Sequence, residues 1–244
     1  CWIYVNGASD TISQNTLPTI TPTASGASVK MGTRSDGFGY ANGSIDEVLI
    51  YNDSLTASEI NQIYKSGLSQ HANTNVTLQT RTADSYNTTD SSLVALWGLN
   101  GNFNDELGIN NGSCSGSTCP TLTANGTVGN AYRFDGVNDA ITVSSLNYSS
   151  QFNTSVGTIS LWAKLDTAGA QNWMWSATAT GGATQYLGGS IASNSIYIQQ
   201  RNGDTADTLY SAFNPGTAWH HYVWTTNDSQ YFIYVDGGIQ ITIE

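Results

Sequence analysis

The sequence predicts an all-β fold, an antiparallel sandwich of two sheets with one short helix. Short runs of alternating apolar and polar residues recur along the chain between turns rich in Gly, Asn, Asp and Ser. Aromatic residues make up 11% of the 244 residues, which is enough to build a packed core and argues against disorder. A single stretch, near residue 60, carries the signals of a helix.

Composition and charge exclude some classes of function. The chain has a net charge of −11 and only seven Lys and Arg residues, so it lacks the basic surface that nucleic-acid binding requires. No run of 18 apolar residues is present, and we predict no membrane span in this segment. Charged residues are 10% of the chain, well below the roughly 25% of ordinary soluble proteins. Ser, Thr, Asn and Gly take their place, which favours an extracellular location at the cell surface.

Residues 43–64 form the most informative stretch. Residues 45–51 alternate with a period of two, so Asp46, Val48 and Ile50 are expected on one face of a strand. The Asn-Asp-Ser turn that follows offers three side chains that can bond nearby backbone groups.

The turn is followed by the start signals of a helix. Thr56 and Glu59 have the spacing of a capping box, and Leu55 and Ile60 have that of a hydrophobic staple. Gly67 is expected to end the helix.

The pattern from Gly43 to Tyr64 resembles the closing segment of LamG-like jelly-roll domains, which belong to the concanavalin A-like lectin/glucanase superfamily. The matching features are a Gly, a strand that begins Ile-Asp-Glu-Val, a Tyr-Asn turn, a Leu-Ser/Thr step and a short helix. Leu49 departs from the family, which usually has a basic residue there, and this departure predicts a contact surface. The resemblance implies that the two-sheet antiparallel sandwich is a jelly roll.

Residues 92–244 resemble the same family from its opening strand onward. The motifs follow in family order: an opening Trp strand, a small Cys loop, FDG-x-N-D, T-I-S-x-W, W-H-H and Y-V-D-G. Because a closing segment precedes an opening one, we predict a tandem array. Residues 1–68 would be the C-terminal part of one LamG-like domain, residues 69–91 a linker, and residues 92–244 the N-terminal part of the next domain.

An incomplete sandwich would expose the apolar face of the strand at residues 45–51. We therefore expect this strand to pack into a sandwich that a neighbouring repeat completes, with residues 69–91 crossing between domains. Pairing of the strand with residues 93–97 and 158–164 of the same chain would contradict this expectation.

The sequence predicts no enzymatic activity. Glucanases of the superfamily use paired Glu residues with an intervening Asp on one strand. His220 and His221 are adjacent on a predicted strand, so they point to opposite faces and cannot act as a metal pair. The chain has four Glu residues and none belongs to a paired motif: Glu47, Glu59, Glu106 and Glu244.

Related folds often hold a structural calcium between the closing strand and the opening loop, and the resemblance implies such a site here. Asp46, Asn100 and Asp105 would supply oxygen ligands. The alternative is that Asp46 accepts hydrogen bonds from the backbone amides of a turn. A second candidate metal site would use Asp135, Asn138 and Asp139. The favoured interpretation of these three residues is that their side chains form a turn.

Two cysteines and many asparagines also fit an outer-surface protein. Cys114 and Cys119 bracket four residues and are expected to form a disulfide. Cys1 is then odd, and is either free or paired elsewhere. Nine sequons could accept N-linked glycans, although so many Asn, Ser and Thr residues produce sequons by chance: Asn42, Asn52, Asn75, Asn87, Asn111, Asn125, Asn147, Asn153 and Asn227.

Aromatic residues on the predicted strands could form a surface for stacking sugars. The candidates are Trp162, Trp175, Tyr197 and Trp224, within a wider set of Trp173, Tyr186 and Tyr222. The alternative is that these rings lie in the core.

Two functions follow as hypotheses. The favoured one is a non-catalytic structural repeat module of a long extracellular protein, such as a filament, sheath, coat or giant adhesin, whose partners are neighbouring copies of the same protein. The alternative is a lectin-like carbohydrate-binding module whose partners are surface glycans. Fold class alone does not separate the two hypotheses.

Overall fold

The computed structural model describes residues 3–5, 8–10, 29–34, 39–71, 90–146, 156–167, 171–178, 185–202, 205–227 and 230–243. Within these residues it contains sixteen strands, one α-helix, α1 (Ala57–His71), and one short 3-10 helix (Gly116–Thr118). The strands are β1 (Ile3–Val5), β2 (Ala8–Asp10), β3 (Val29–Met31), β4 (Asn42–Tyr51), β5 (Leu93–Trp97), β6 (Thr121–Ala124), β7 (Asn130–Asp135), β8 (Ile141–Val143), β9 (Val156–Leu165), β10 (Asn172–Thr178), β11 (Gln185–Ala192), β12 (Ser195–Asn202), β13 (Thr205–Ala212), β14 (His220–Asn227), β15 (Gln230–Val235) and β16 (Gly238–Ile243).

Two large antiparallel sheets form the sandwich. The eight-stranded sheet has the order β16-β15-β14-β9-β4-β7-β6, and β5 pairs with β4 beside β7. The six-stranded sheet has the order β13-β12-β11-β10-β3-β8. A separate hairpin of β1 and β2 lies next to β16. The predicted all-β, two-sheet fold with one helix is confirmed.

The main core lies between the two sheets. It forms because alternate residues of each strand point inward. Its largest fully buried side chains come from both sheets, and they include Met31, Trp97, Phe134, Trp175 and Trp224. Burial of such rings dominates the energetics of a β sandwich of this size.

Strand β4 pairs within its own chain, so the expectation that a neighbouring repeat completes the sandwich is wrong. Ile50 lies opposite Ala95 of β5 on one side and Ile159 of β9 on the other. Both neighbours of β4 therefore come from residues 90–244, and they satisfy its backbone donors and acceptors. The physical reason is that closing a loop within one chain has an entropic cost that grows only slowly with loop length. The division into domain parts at residues 68 and 92 stays a prediction.

The alternation of β4 is interrupted by a β-bulge. Glu47 has a φ of 50°, and the register against β9 shifts between Asp46 and Leu49. Val48 and Ile50 then face the main core, while Asp46 lies on the opposite side, with Leu49. The prediction that Asp46 shares a face with Val48 and Ile50 is therefore wrong, because a strict period of two holds only along an unbroken strand.

Helix α1 begins as the sequence predicts. The backbone N–H of Thr56 donates to Glu59 Oε2 at 2.8 Å, and the N–H of Glu59 donates to Thr56 Oγ1 at 3.3 Å, which together form a capping box. Leu55 and Ile60 are buried in the same cluster, as a hydrophobic staple requires. The helix does not end at Gly67 but continues to His71, so its last residues occupy the start of the predicted linker, whose residues 72–89 lie outside the described part.

Candidate functional site

The outer face of the eight-stranded sheet carries a second apolar cluster, to which α1 contributes. Leu49 of β4, Ile60 of α1, Leu96 of β5 and Val223 of β14 are all buried in it. The contact surface predicted at Leu49 is therefore an intramolecular one, formed with the neighbouring strands and α1. These four side chains are closed to solvent.

Aromatic rings continue this cluster towards the middle of the sheet. The Trp162 ring lies 5.8 Å from the Tyr64 ring and 5.3 Å from the His221 ring, measured between centroids. His221 is fully buried, and its Nε2 lies 2.8 Å from Ser160 Oγ. Burial lowers the pKa of His221 to about 4, so the imidazole is neutral at physiological pH. The ring packs against those of Tyr64 and Trp162.

Asp46 lies beside Trp162 and His221 in one row across the sheet and accepts hydrogen bonds from the turn between β6 and β7. Its Oδ2 accepts hydrogen bonds from Thr127 N (2.6 Å), Thr127 Oγ1 (2.9 Å) and Val128 N (3.1 Å), and its Oδ1 accepts one from Glu47 N (3.0 Å). Burial raises the pKa of Asp46 to about 6, and these four hydrogen bonds oppose the rise. These contacts agree with the alternative to calcium binding, in which Asp46 accepts hydrogen bonds from the backbone amides of a turn.

The other two predicted calcium ligands also accept backbone hydrogen bonds. Asp105 is buried and takes N–H groups from Leu96, Leu107, Ile109 and Asn110. Asn100 Oδ1 accepts the N–H of Asn130 at 2.8 Å, in the same turn that Asp46 holds.

The structure thus brings Asp46 and Asn100 to one turn but gives Asp105 a separate set of partners. Calcium shared by these three residues does not fit this arrangement, because the oxygens that would bind it already accept backbone hydrogen bonds. Among the described residues, no three His, Cys, Asp or Glu side chains converge as metal ligands.

The structure also brings together two carboxylates that the sequence did not indicate as a pair. A Cβ atom placed on Gly98 would lie 3.8 Å from both Glu47 Oε1 and Glu106 Oε1, and 3.3 Å from Asn100 Nδ2. Glu47 reaches this position from the bulge in β4, where it is buried. The left-handed backbone that directs Glu47 there has no clear signal in the sequence.

The second group of predicted metal ligands forms a turn. Asp135 Oδ1 accepts N–H groups from Val137 and Asn138, and Asp139 Oδ2 accepts the N–H of Asp135. The hydrogen bond from Val137 is the main cause of the lowered pKa of Asp135. These hydrogen bonds agree with the interpretation that Asp135, Asn138 and Asp139 form a turn.

A histidine and a carboxylate also lie together beside the start of β14. His220 Nδ1 lies 2.7 Å from Asp236 Oδ2, and His220 Nε2 lies 3.0 Å from the carbonyl oxygen of Pro215. The hydrogen bond to Asp236 raises the pKa of His220. Both ring nitrogens face acceptors within the fold, so His220 joins the start of β14 to the turn between β15 and β16 and to the segment that precedes β14.

Surface features predicted from the sequence are placed as follows. The sulfur atoms of Cys114 and Cys119 are joined in a disulfide. Cys1 lies outside the described residues. Of the nine sequons, four lie outside the described residues: Asn75, Asn87, Asn147 and Asn153. Four others are exposed and Asn42 is half-buried; the exposed four are Asn52, Asn111, Asn125 and Asn227.

Three of the four predicted sugar-stacking residues are buried. Trp175 and Trp224 are each 2% exposed and lie between the two sheets. Trp162 is 3% exposed and lies against the Tyr64 ring on the outer face of the eight-stranded sheet. These three rings cannot meet a ligand from solvent in this structure. The prediction failed for them because a period of two does not reveal which face of a strand a neighbouring element covers. Tyr197 alone of the four lies at the surface.

The outer face of the six-stranded sheet is accessible to solvent at β12 and β13. Strand alternation directs Tyr197, Gln199 and Arg201 of β12 outward, since Ile196 and Ile198 belong to the core. Tyr210 of β13 lies opposite Tyr197, is 65% exposed, and its ring centroid is 5.7 Å from that of Tyr197. Gln199 Nε2 donates to Thr208 Oγ1 at 2.9 Å. We call the outward side chains of Tyr197, Gln199, Arg201, Thr208 and Tyr210 the tyrosine face.

Two buried aromatic rings, Trp173 of β10 and Tyr186 of β11, lie beside the tyrosine face. The Trp173 ring stands edge-on to that of Tyr186, with centroids 5.5 Å apart. Arg34 Cζ lies 5.4 Å from the centre of each ring. Sequence reasoning included Trp173 and Tyr186 among the aromatic candidates, but it missed Tyr210 and the role of Arg34.

Comparison with known families supports the fold. The model of the Laminin_G_3 family, described as the concanavalin A-like lectin/glucanases superfamily, matches residues 2–61. This match confirms the resemblance to LamG-like jelly-roll domains that residues 43–64 indicate. No match was found among curated proteins or among solved structures. In the described part of the chain, no helix has the length and apolar character needed to span a membrane.

Proposed function

We propose that this LamG-like, concanavalin A-like sandwich is a non-catalytic carbohydrate-binding module of an extracellular surface protein. The observation that carries the proposal is the open Tyr197–Tyr210 pair. Tyrosine combines a flat apolar ring with a polar edge, which suits the apolar face and the hydroxyl groups of a sugar ring. LamG-like domains are typically extracellular, and the disulfide between Cys114 and Cys119 accords with an oxidising environment.

The surroundings of this pair support the same proposal. Gln199 and Thr208 lie two residues along the strands from the tyrosines and are joined by a hydrogen bond from the Gln199 amide nitrogen to the Thr208 hydroxyl group. A polar pair beside an aromatic pair is a common arrangement in ligand sites, because the rings supply contact area and the polar groups fix orientation. Strands hold all four residues, so little order is lost on binding.

A glycan array with the whole chain tests this proposal. Tyr210→Ser is expected to weaken binding about tenfold, since a stacking contact on an exposed ring is lost. Leu122→Ser is the matched control, because Leu122 is 46% exposed on β6 of the other sheet. Equal loss in both variants, or no binding to any glycan, would contradict the proposal.

A structural repeat module remains the second candidate. The observation that favours it is β6, which ends the described order of the eight-stranded sheet and pairs only with β7 there. An edge strand with an exposed Leu122 can pair with the edge of a neighbouring copy. Sedimentation velocity at increasing concentration tests this: Leu122→Lys should abolish concentration-dependent association, and purely monomeric protein at all concentrations would exclude the candidate.

A further inference from the structure

The chain contains one hairpin sequence twice, once before β3 and once after β14. The segment Ile3-Tyr4-Val5-Asn6-Gly7 corresponds to Ile233-Tyr234-Val235-Asp236-Gly237, and the single difference is Asn6 against Asp236. Each segment supplies the first strand of an antiparallel hairpin, β1 in one case and β15 in the other. Val5 pairs with Ala8, and Val235 pairs with Gly238, so both hairpins pair in the same register across two intervening residues.

The two residues between the strands also have equivalent turn chemistry. Asp236 and Gly237 have φ values of 50° and 75°. Two successive left-handed residues make the two-residue turn whose twist fits a hairpin, and Asp-Gly and Asn-Gly are the sequences that favour it. The Asn6-Gly7 sequence therefore favours the turn that Asp236 and Gly237 form.

The fold has one place for this hairpin in register with β14, and β15 occupies it. We call this place, opposite Tyr222–Asn227 of β14, the β14 slot. Ile233 and Val235 are buried from it in the main core, and Tyr234 is buried in the second apolar cluster. The sequence of β1 repeats the same three residue types in the same order: Ile3, Tyr4 and Val5. Because alternation and register decide which strand fits a sheet, β1 has the pattern that the β14 slot requires.

The difference between Asp236 and Asn6 explains in part why β15 occupies the slot. Asp236 Oδ2 lies 2.7 Å from His220 Nδ1, and Asp236 Oδ1 accepts the backbone N–H of His221 at 3.0 Å. An asparagine side chain has one acceptor oxygen and no charge, so Asn6 cannot reproduce both contacts. The β15–β16 hairpin is therefore held more tightly at its turn.

A second difference lies in the return strands. Ile239 of β16 packs against the second apolar cluster, whereas the corresponding residue of β2 is Ser9. The structure accordingly has β15–β16 in the slot and β1 next to β16. From there the β14 slot is two strand spacings away, roughly 10 Å. Residues 11–28 join β2 to β3 and could span up to about 60 Å, so the covalent connection allows β1–β2 to reach the slot.

We propose that β1–β2 and β15–β16 are alternative occupants of the β14 slot and exchange within one chain. With β1–β2 in the slot, β15–β16 leaves the sheet while β14 keeps a paired edge and the core keeps an Ile and a Val at the same positions. The exchange loses the contacts of Asp236 and Ile239 but does not open the sandwich. Two hairpins of equivalent sequence thus give the fold a two-state element through which it can release β15–β16.

The odd cysteine of the chain can report the exchange. Cys1 precedes Ile3 by two positions, as Tyr231 precedes Ile233, and Tyr231 lies opposite Thr226 of β14. In a Thr226→Cys variant, the introduced thiol would therefore face Cys1 when β1 occupies the slot, within reach of a disulfide. Under a mild oxidant we expect this link to form within single chains, as mapped by mass spectrometry of the peptides.

Thr121→Cys is the matched control for this link, because Thr121 is exposed on β6 at the far end of the same sheet. Its thiol should join Cys1 at least tenfold more slowly. Equal rates in the two variants, no link in Thr226→Cys, or a link that joins two chains instead of one would overturn the inference.

A change in the turn of β15–β16 should shift the exchange in a known direction. Asp236→Asn gives both hairpins an Asn-Gly turn and removes the carboxylate that faces His220. Combined with Thr226→Cys, it should make the link to Cys1 form about tenfold faster. Thr56→Ala weakens the fold at the start of α1 instead and should leave the rate unchanged. An equal acceleration by Thr56→Ala would show that the link reports general unfolding, and would overturn the inference.

The converse variant, Asn6→Asp, needs no introduced cysteine and no change in the sandwich core. It gives β1–β2 the carboxylate that Asp236 offers to His220, so β1–β2 becomes the stronger competitor for the slot. Hydrogen exchange should become about tenfold faster at the amides of β15 and stay unchanged in β4 and β9. Unchanged exchange in β15 would overturn the inference even if the Thr226→Cys variant fails to fold.

Discussion

The outer faces of the two sheets both carry aromatic residues, but these residues differ in their exposure to solvent. On the eight-stranded sheet, Trp162 and His221 lie against the ring of Tyr64 from α1, and Trp162 is 3% exposed. On the six-stranded sheet, no helix of the described residues lies over Tyr197 and Tyr210, and Tyr210 is 65% exposed. The outward ring of Trp162 is thus buried on one sheet, whereas the outward ring of Tyr210 lies at the surface of the other. The covering element, more than the strand, decides which residues can bind a ligand.

Removing one ring from each face gives the largest expected contrast. Trp162→Ala should lower the free energy of unfolding by about 3–5 kcal/mol, because it leaves a cavity among buried rings on the covered face. Tyr210→Ala should change it by less than about 1 kcal/mol, because the ring is largely solvated. Chemical denaturation of both variants measures the contrast. Similar losses would show that the two faces are equally covered.

The covered face also holds two titratable groups whose pKa values shift in opposite senses. Asp46 pairs with Trp162 across the sheet, and Trp162 pairs with His221 on the next strand, so the three form one row. Burial is the first cause of both shifts, raising the pKa of Asp46 to about 6 and lowering that of His221 to about 4.

These shifts predict opposite pH dependences of stability between about pH 4 and pH 6. The raised pKa of Asp46 means that the folded state binds a proton there more tightly than the unfolded state, so its contribution is present at low pH and lost as pH rises through 6. The lowered pKa of His221 means the reverse: its contribution is present above the unfolded value and lost as pH falls towards 4. The two contributions are each about 3 kcal/mol and largely offset one another.

Single variants should therefore reveal slopes that the unaltered protein hides. In Asp46→Asn the free energy of unfolding should rise with pH from 4 to 6, because the His221 contribution alone remains. In His221→Gln, which keeps a group able to bond Ser160, it should fall over the same range. Urea denaturation at several pH values measures both slopes. Slopes of the same sign in the two variants would disprove the assignment.

Calcium provides an independent check of Asp46. The hydrogen-bonded arrangement predicts that the melting temperature at pH 7 is the same in calcium and in chelator, since the Asp46 oxygens accept four donors from the protein itself. A calcium ion held by Asp46, Asn100 and Asp105 would instead raise the melting temperature, by preferential binding to the folded state. A clear rise in calcium would restore the sequence-based prediction of a structural ion.

The sequence was most informative where local signals decide the structure. The capping box of Thr56 and Glu59 and the disulfide between Cys114 and Cys119 depend on short spacings, and both are present. The sandwich follows from alternation that recurs along the chain. The end of α1 was misplaced because packing can override a single glycine inside a helix, where its cost is about 1 kcal/mol.

The candidate binding surface was harder to predict because it depends on long-range placement. The bulge at Glu47 reverses the side of Asp46, and no pattern of period two can show it. Trp162 and Tyr197 are both aromatic residues of alternating strands, yet Trp162 is the one that lies against Tyr64 of α1. Closure of β4 onto β5 and β9 also could not be derived, since a strand has the same hydrogen-bonding pattern for its own chain as for a neighbouring copy.

The smallest expected effect concerns the start of the covering helix itself. Thr56→Ala removes the side chain that accepts the Glu59 N–H and donates to Glu59 Oε2, and should lower the free energy of unfolding by about 1 kcal/mol. The hydrogen bonds from Thr56 lower the pKa of Glu59, so this contribution is present above the unfolded pKa of Glu59 and lost as pH falls through the folded one. Hydrogen exchange should then quicken at Ile60 and its neighbours in α1 while the strands of the tyrosine face stay unchanged. Thr121→Ala, at an exposed position on β6, is the control. Quickened exchange on both sheets would mean that α1 and the open face unfold together, and that the helix stabilises the whole sandwich rather than one of its faces.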